Sequence, residues 1–134
     1  MENKRLLFFN VDYATQIKIE KFASQFNIEC EHVKLKDYNK TIAELIGVPA
    51  EYFPKEEYTG EEFLCEMMLF AGFDEITLDH FLTDYKQAGL PTIPLKAVVT
   101  RQNLTWSARE LFNQILYESQ ELKLREEKLK NSKN

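Results

Sequence analysis

Two short apolar runs, 6–11 and 67–71, are each followed a few residues on by a segment with helical apolar spacing, and this repetition constrains the fold more than any other feature. An apolar run of five or six residues bounded by polar ones suits a strand covered on both faces. Ile19, Phe22, Ala23 and Phe26 recur at three- and four-residue steps and predict a helix over 14–26. Leu78, Phe81, Leu82, Tyr85 and Ala88 do the same over 76–88, with Gly89 as the stop. A second strand is expected in each half, at 28–35 and at 95–100, the first mixed enough in composition for an edge. Thr41-Ile42-Ala43-Glu44 and Ser107-Ala108-Arg109-Glu110 both have the spacing of a capping box, so each half closes on a further helix.

The expected architecture is therefore α/β: two βαβα halves forming one four-stranded, mostly parallel sheet with packed helices. The halves span 5–48 and 65–118, joined by a loop at 50–62, within one domain over 1–120. Residues 121–134, rich in Lys and Glu, form a charged helical tail that frays beyond Ser119. A shift of 62 residues pairs Phe8 with Phe70, Asp12 with Asp74, Thr15 with Thr77, Ile28 with Leu90 and Lys34 with Lys96. The common element order supports an internal repeat, although convergence on one pattern gives a similar match.

A hydrophobic fraction of 44% with 13% aromatics supplies a packed core and excludes disorder for most of the chain. No apolar run reaches the roughly 18 residues of a membrane span, and no signal-peptide pattern is seen, so a cytoplasmic location is expected. Between Glu51 and Asp84 ten acidic side chains face the single Lys55, while the remainder holds 12 acids and 16 bases. That acidic middle disfavours general nucleic-acid binding. Cys30 and Cys65, His32 and His80 are isolated and lack metal-ligand spacing. With four glycines and none of the common nucleotide, zinc-protease or hydrolase motifs, no cofactor, metal or catalytic residue is assigned.

If the sheet is mostly parallel, the ends of strands one, three and four bring Asn10 and Asp12, Gly72 and Asp74, and Thr100 and Asn103 to one carboxyl edge, where ligands of open α/β sheets bind. For Asp12 and Asp74 the stronger reading is as helix N-caps or as acids that complement the helix macrodipole. Lys96, Thr100, Arg101, Asn103 and Trp106 could hold an anionic group at the start of the last helix. The structural alternative is the stronger: Trp106 packs that helix onto the sheet, Asn103 braces a turn, and Lys96 snorkels. In the acidic loop, Tyr52, Phe53 and Tyr58 are candidates for contacting a protein partner.

The runs Met67-Met68-Leu69-Phe70-Ala71-Gly72-Phe73, Leu78-Asp79-His80-Phe81-Leu82 and Gly89-Leu90-Pro91-Thr92-Ile93-Pro94-Leu95-Lys96-Ala97-Val98-Val99-Thr100, closed by Asn103-Leu104-Thr105-Trp106-Ser107, resemble a bacterial family known only as a domain of unknown function. The likeness covers the second half well and the first loosely. It implies a small bacterial domain and brings no activity, substrate or catalytic residue with it. Function is thus ranked on the residues alone. A noncatalytic interaction module contacting a protein partner or a second copy comes first, then a sensor of a small anionic ligand at the carboxyl edge, then an unrecognised enzyme.

Overall fold

Strand β1 (Arg5–Phe9) and strand β3 (Met67–Ala71) hold the longest runs of fully buried residues among those described, since Leu6 to Phe9 and Met67 to Leu69 have no solvent exposure. They lie side by side at the centre of a four-stranded sheet of order β2-β1-β3-β4. Strand β2 (Glu29–His32) flanks β1 and strand β4 (Leu95–Val98) flanks β3, each pairing parallel to its neighbour. The computed structural model describes residues 3–49 and 55–132.

The sheet is mixed, where a mostly parallel one was expected. β1 and β3 run antiparallel, with Leu7 opposite Leu69. The crossover rule that favours parallel pairing acts only within a β-helix-β unit. Within each unit it holds, for helix α1 (Tyr13–Ser24) joins β1 to β2 and helix α3 (Glu75–Gln87) joins β3 to β4. The long connection between the units carries no such constraint, and a strand buried on both faces shows no directional pattern in its sequence.

The pleat divides the core in two. Leu6, Phe8, Met68 and Phe70 face α1 and α3, meeting Ile19, Ala23, Phe81 and Tyr85. Leu7, Phe9, Met67 and Leu69 face the opposite layer, built from helix α2 (Ile42–Ile46) and the first turns of helix α4 (Ala108–Ser132). Helix α4 extends to Ser132, and its distal residues Leu122, Leu124 and Leu129 are exposed.

Local geometry recurs at fixed separations. Asp12 and Asp74 cap α1 and α3, accepting from the amides of Thr15 and Thr77 at 2.8 and 2.7 Å. Asn10 and Gly72, which leave β1 and β3, are both left-handed, as are Asn27 and Gly89 beyond the following helices. Each of these pairs is 62 residues apart. The outer strands obey a different spacing. Arg5 pairs with Glu29 but Met67 with Leu95, so the α3–β4 connection is longer by four residues and Cys30, rather than Lys34, stands where Lys96 stands. Beyond that point the separation is 66. Thr41 and Ser107 form an isolated antiparallel bridge, Ile42 N donates to Trp106 O, and Ala108 N donates to Lys40 O.

Candidate functional site

The antiparallel junction sends the two carboxyl ends to opposite edges. Asn10 and Asp12 lie at one edge, with the end of β2; Gly72, Asp74, Thr100 and Asn103 lie at the other, so the single cluster expected from a parallel sheet does not form. The second of these edges carries a cleft of about 790 Å³. Its apolar walls are Ile46 and Val48 at the end of α2, Ala71 at the end of β3, Val99 after β4, and Leu104. Its polar groups come from both halves: Arg5 and Glu29 at the starts of β1 and β2, Asp74 at the start of α3, and Thr100 and Arg101 after β4.

Gly72 shapes the floor. Its φ is +79°, and a Cβ there would stand 2.6 Å from the carbonyl oxygen of Asn3, so glycine is required for both conformation and space. The Asp74 carboxylate is held below its ordinary range chiefly by the Thr77 amide, which leaves it ionised and committed to its helix. Arg5 reaches Glu31 at 3.2 Å on the exposed edge strand. Asn103 is buried and braces the loop: its Oδ1 accepts from Thr100 N at 2.9 Å, its Nδ2 donates to Val98 O at 3.0 Å, and its own amide donates to Thr100 Oγ1.

Of the candidate ligand residues, Asp74, Thr100 and Arg101 therefore line one cleft, and Asn103 supports it from beneath. Lys96 does not reach it. Lys96 is exposed on the edge strand, level with Met68, and its Nζ donates to Ile93 O at 3.2 Å. Trp106 packs on the α2–α4 face of the core, and Asp12 caps α1 at the far edge. Among the partner candidates, Tyr58 is turned inward. Its ring lies 5.7 Å from that of Tyr38, with the Arg109 guanidinium 5.8 Å from its centroid, and its hydroxyl donates to Glu61 O. Tyr52 and Phe53 lie outside the described residues. Arg5, Glu29, Ile46, Val48 and Leu104 are not singled out by any local pattern, because only the register of the antiparallel junction brings the first-half residues to this edge.

At the opposite edge the space is filled by the chain itself. Phe63 stacks on Phe112 and on Tyr38 at centroid distances of 4.0 and 4.1 Å and lies 6.0 Å from Phe9. Asn10 Nδ2 donates to its carbonyl at 2.9 Å, and the Tyr38 hydroxyl donates to Glu62 at 2.6 Å. Burial, and then the bond to Glu62, push that hydroxyl well above its usual range, so Tyr38 stays a neutral donor. Burial also raises Cys30 to about 12 and Tyr85 to about 12, but neither side chain lines the cleft.

Residues 66–122 match a family described as a domain of unknown function, DUF3783. The DUF3783 match runs from the start of β3 into α4, enclosing the runs on which the resemblance rested, and it carries no assigned activity. No curated protein and no solved structure matches the chain significantly. The DUF3783 segment contributes most of the cleft, from Ala71 to Asp74 and again Val99, Thr100, Arg101 and Leu104, and Asn3, Arg5, Glu29, Ile46 and Val48 come from the half that lies outside it.

Among the described residues no group of His, Cys, Asp and Glu side chains could hold a metal ion, and no helix is long and apolar enough to cross a membrane.

Proposed function

We propose that this domain is a noncatalytic binding module and that the cleft at the carboxyl edge of β3 and β4 is its binding site. The observation that carries the reading is the composition of that cleft. It has apolar walls, its volume falls within the roughly 300–1,000 Å³ typical of ligand sites, and the charged side chains of Arg5, Glu29, Asp74 and Arg101 line it as well. The hydroxyl of Thr100 is engaged by the loop and the Asp74 carboxylate by its helix, which leaves these groups to shape and orient rather than to transfer protons.

The same reading takes the chain as two copies of one βαβα unit related by an approximate twofold axis. The axis passes between Leu7 and Leu69 in the sheet and between Thr41 and Ser107 in the layer above it, and the matched left-handed residues and N-caps support it. Because β1 and β3 face each other at the centre, both units are needed to bury either strand.

An anionic small molecule is the second reading, favoured by Arg5 and Arg101 on the cleft rim. A thermal-shift screen against peptides and metabolites tests both, since a ligand at 100 times its dissociation constant stabilises by about 2.7 kcal/mol. Val48 is 39% exposed at the rim, so Val48→Trp is expected to fill the cleft without disturbing the core and to abolish the shift. Lys34→Trp, at the far edge, leaves the shift intact. Hits that survive Val48→Trp unchanged would place the binding site elsewhere.

A further inference from the structure

The two edges of the sheet are counterparts, and one is occupied. At the first edge Phe63 sits among Phe9, Tyr38 and Phe112, with Asn10 holding its carbonyl. The 62-residue spacing of the strands carries Phe9 onto Ala71 and Asn10 onto Gly72. The 66-residue spacing fixed by the Thr41–Ser107 bridge carries Tyr38 onto Leu104 and Phe112 onto Ile46. All four of these counterparts line the open cleft. The cleft is thus the second seat of a pair whose first seat holds an aromatic ring. Its walls are also cut back, since Ala71, Leu104 and Ile46 are each smaller than the residue they replace, so the three wall positions that carry rings at one edge carry none at the other.

We infer that the cleft docks a partner peptide that presents a phenylalanine directly behind acidic residues, in the way the chain's own Glu61-Glu62-Phe63 segment docks at the opposite edge. This rests on the reading of the cleft as the binding site. The acidic requirement follows from the donors. At the filled seat the carboxylate ahead of the ring is met by the Tyr38 hydroxyl. Leu104 offers no donor in its place, but the open seat is lined by Arg5 and Arg101 beside Glu29 and Asp74. Asp74 is committed to its helix and Arg5 already reaches Glu31, so Arg101 is left to meet an incoming carboxylate with charge as well as hydrogen bonds. Gly72 lacks the side chain with which Asn10 grips the Phe63 carbonyl, so the incoming peptide is held by Arg101 and by apolar contact, as suits a reversible docking peptide.

The test is a titration of the full, 15N-labelled chain with the peptides acetyl-Glu-Glu-Phe-Leu-amide and acetyl-Glu-Glu-Ala-Leu-amide, read from amide chemical shifts. The expected result is that the phenylalanine peptide moves the amides of Ile46, Ala71, Gly72 and Leu104 and binds at least tenfold more tightly than its alanine counterpart. Val48→Trp removes the effect, and Arg101→Glu weakens it. Equal binding of the two peptides, or shifts confined to other surfaces, would overturn the aromatic inference. If the phenylalanine peptide is silent while a metabolite moves the same amides, the inference fails and the cleft remains the binding site. Silence of every ligand tested defeats both. Concentration-dependent shifts of these amides in the protein alone, with a doubled mass in solution, would give the cleft to a second copy and overturn the peptide partner.

Discussion

Thr41 and Ser107 face each other in an isolated antiparallel bridge while each also caps its own helix, Thr41 Oγ1 accepting from Glu44 N and Ser107 Oγ from Glu110 N, both at 3.1 Å. Both capping boxes are closed by the reciprocal bond from the cap amide to the glutamate, at 3.2 and 3.1 Å. One pair of residues therefore starts both helices of the layer and joins the two halves. Thr41→Ala and Ser107→Ala are each expected to cost about 1 kcal/mol. Because the residues touch, the double variant should depart from the sum by more than about 0.5 kcal/mol. Urea unfolding of the four proteins measures this, and additive values would mean that the caps act independently of the bridge.

The caps of α1 and α3 set an acid dependence. Asp12 and Asp74 lie below the ordinary 3.8 because the amides of Thr15 and Thr77 donate to their carboxylates. A folded-state pKa below the unfolded one stabilises the ionised form. The contribution is complete above the unfolded pKa and is lost as pH falls through the folded one. Asparagine caps almost as well without titrating. The Asp12→Asn/Asp74→Asn double variant should therefore resemble the parent at neutral pH and lose stability less steeply between about pH 5 and 2. Superimposable acid limbs would show that these carboxylates contribute nothing through their charge.

Periodicity reveals the order of the elements, since strands such as Met67–Ala71 and helices such as Glu75–Gln87 lie within a residue or two of where apolar spacing and capping residues put them. The direction in which the halves meet is not encoded that way. Leu6 to Phe9 are buried on both faces, so their pattern is the same whether β3 runs with them or against them. The missed direction is what moved Asp12 to the far edge and brought Arg5 to the cleft. Lys96 illustrates a different limit. In a parallel edge strand a lysine is as compatible with a solvated face as with a site, and its contact with Ile93 O is invisible to the sequence.

The linker is pinned by Phe63, which is 7% exposed and stacked between two rings. Phe63→Ala should destabilise by about 3–5 kcal/mol, the usual cost of removing a buried aromatic. It should also loosen 55–62, whose other anchors are Asn39 Nδ2 to Glu56 O, Tyr58 N to Lys36 O, the Tyr38 hydroxyl to Glu62, and the Tyr58 ring against Tyr38 and Arg109. Limited proteolysis is expected to cut the variant in this segment under native conditions, while the parent resists. Equal resistance would mean that the anchors other than Phe63 suffice.

Gly72 and Gly89 separate two costs that usually come together. Both are left-handed, with φ of +79° and +70°, but a Cβ on Gly89 meets nothing within 4 Å whereas one on Gly72 strikes the Asn3 carbonyl at 2.6 Å. Gly89→Ala therefore carries only the conformational term, about 1–2 kcal/mol. Gly89→Asn should cost less than Gly89→Ala, since Asn27 already adopts φ 58° at the end of α1. Gly72→Ala adds a collision with backbone at the edge where β1 begins, so its loss must exceed that of Gly89→Ala, and Gly72→Asn is not rescued. Thermal unfolding of the four variants decides the matter. Equal losses for the two alanine variants would mean that the segment before β1 shifts freely, and that the cleft floor is set by conformation alone.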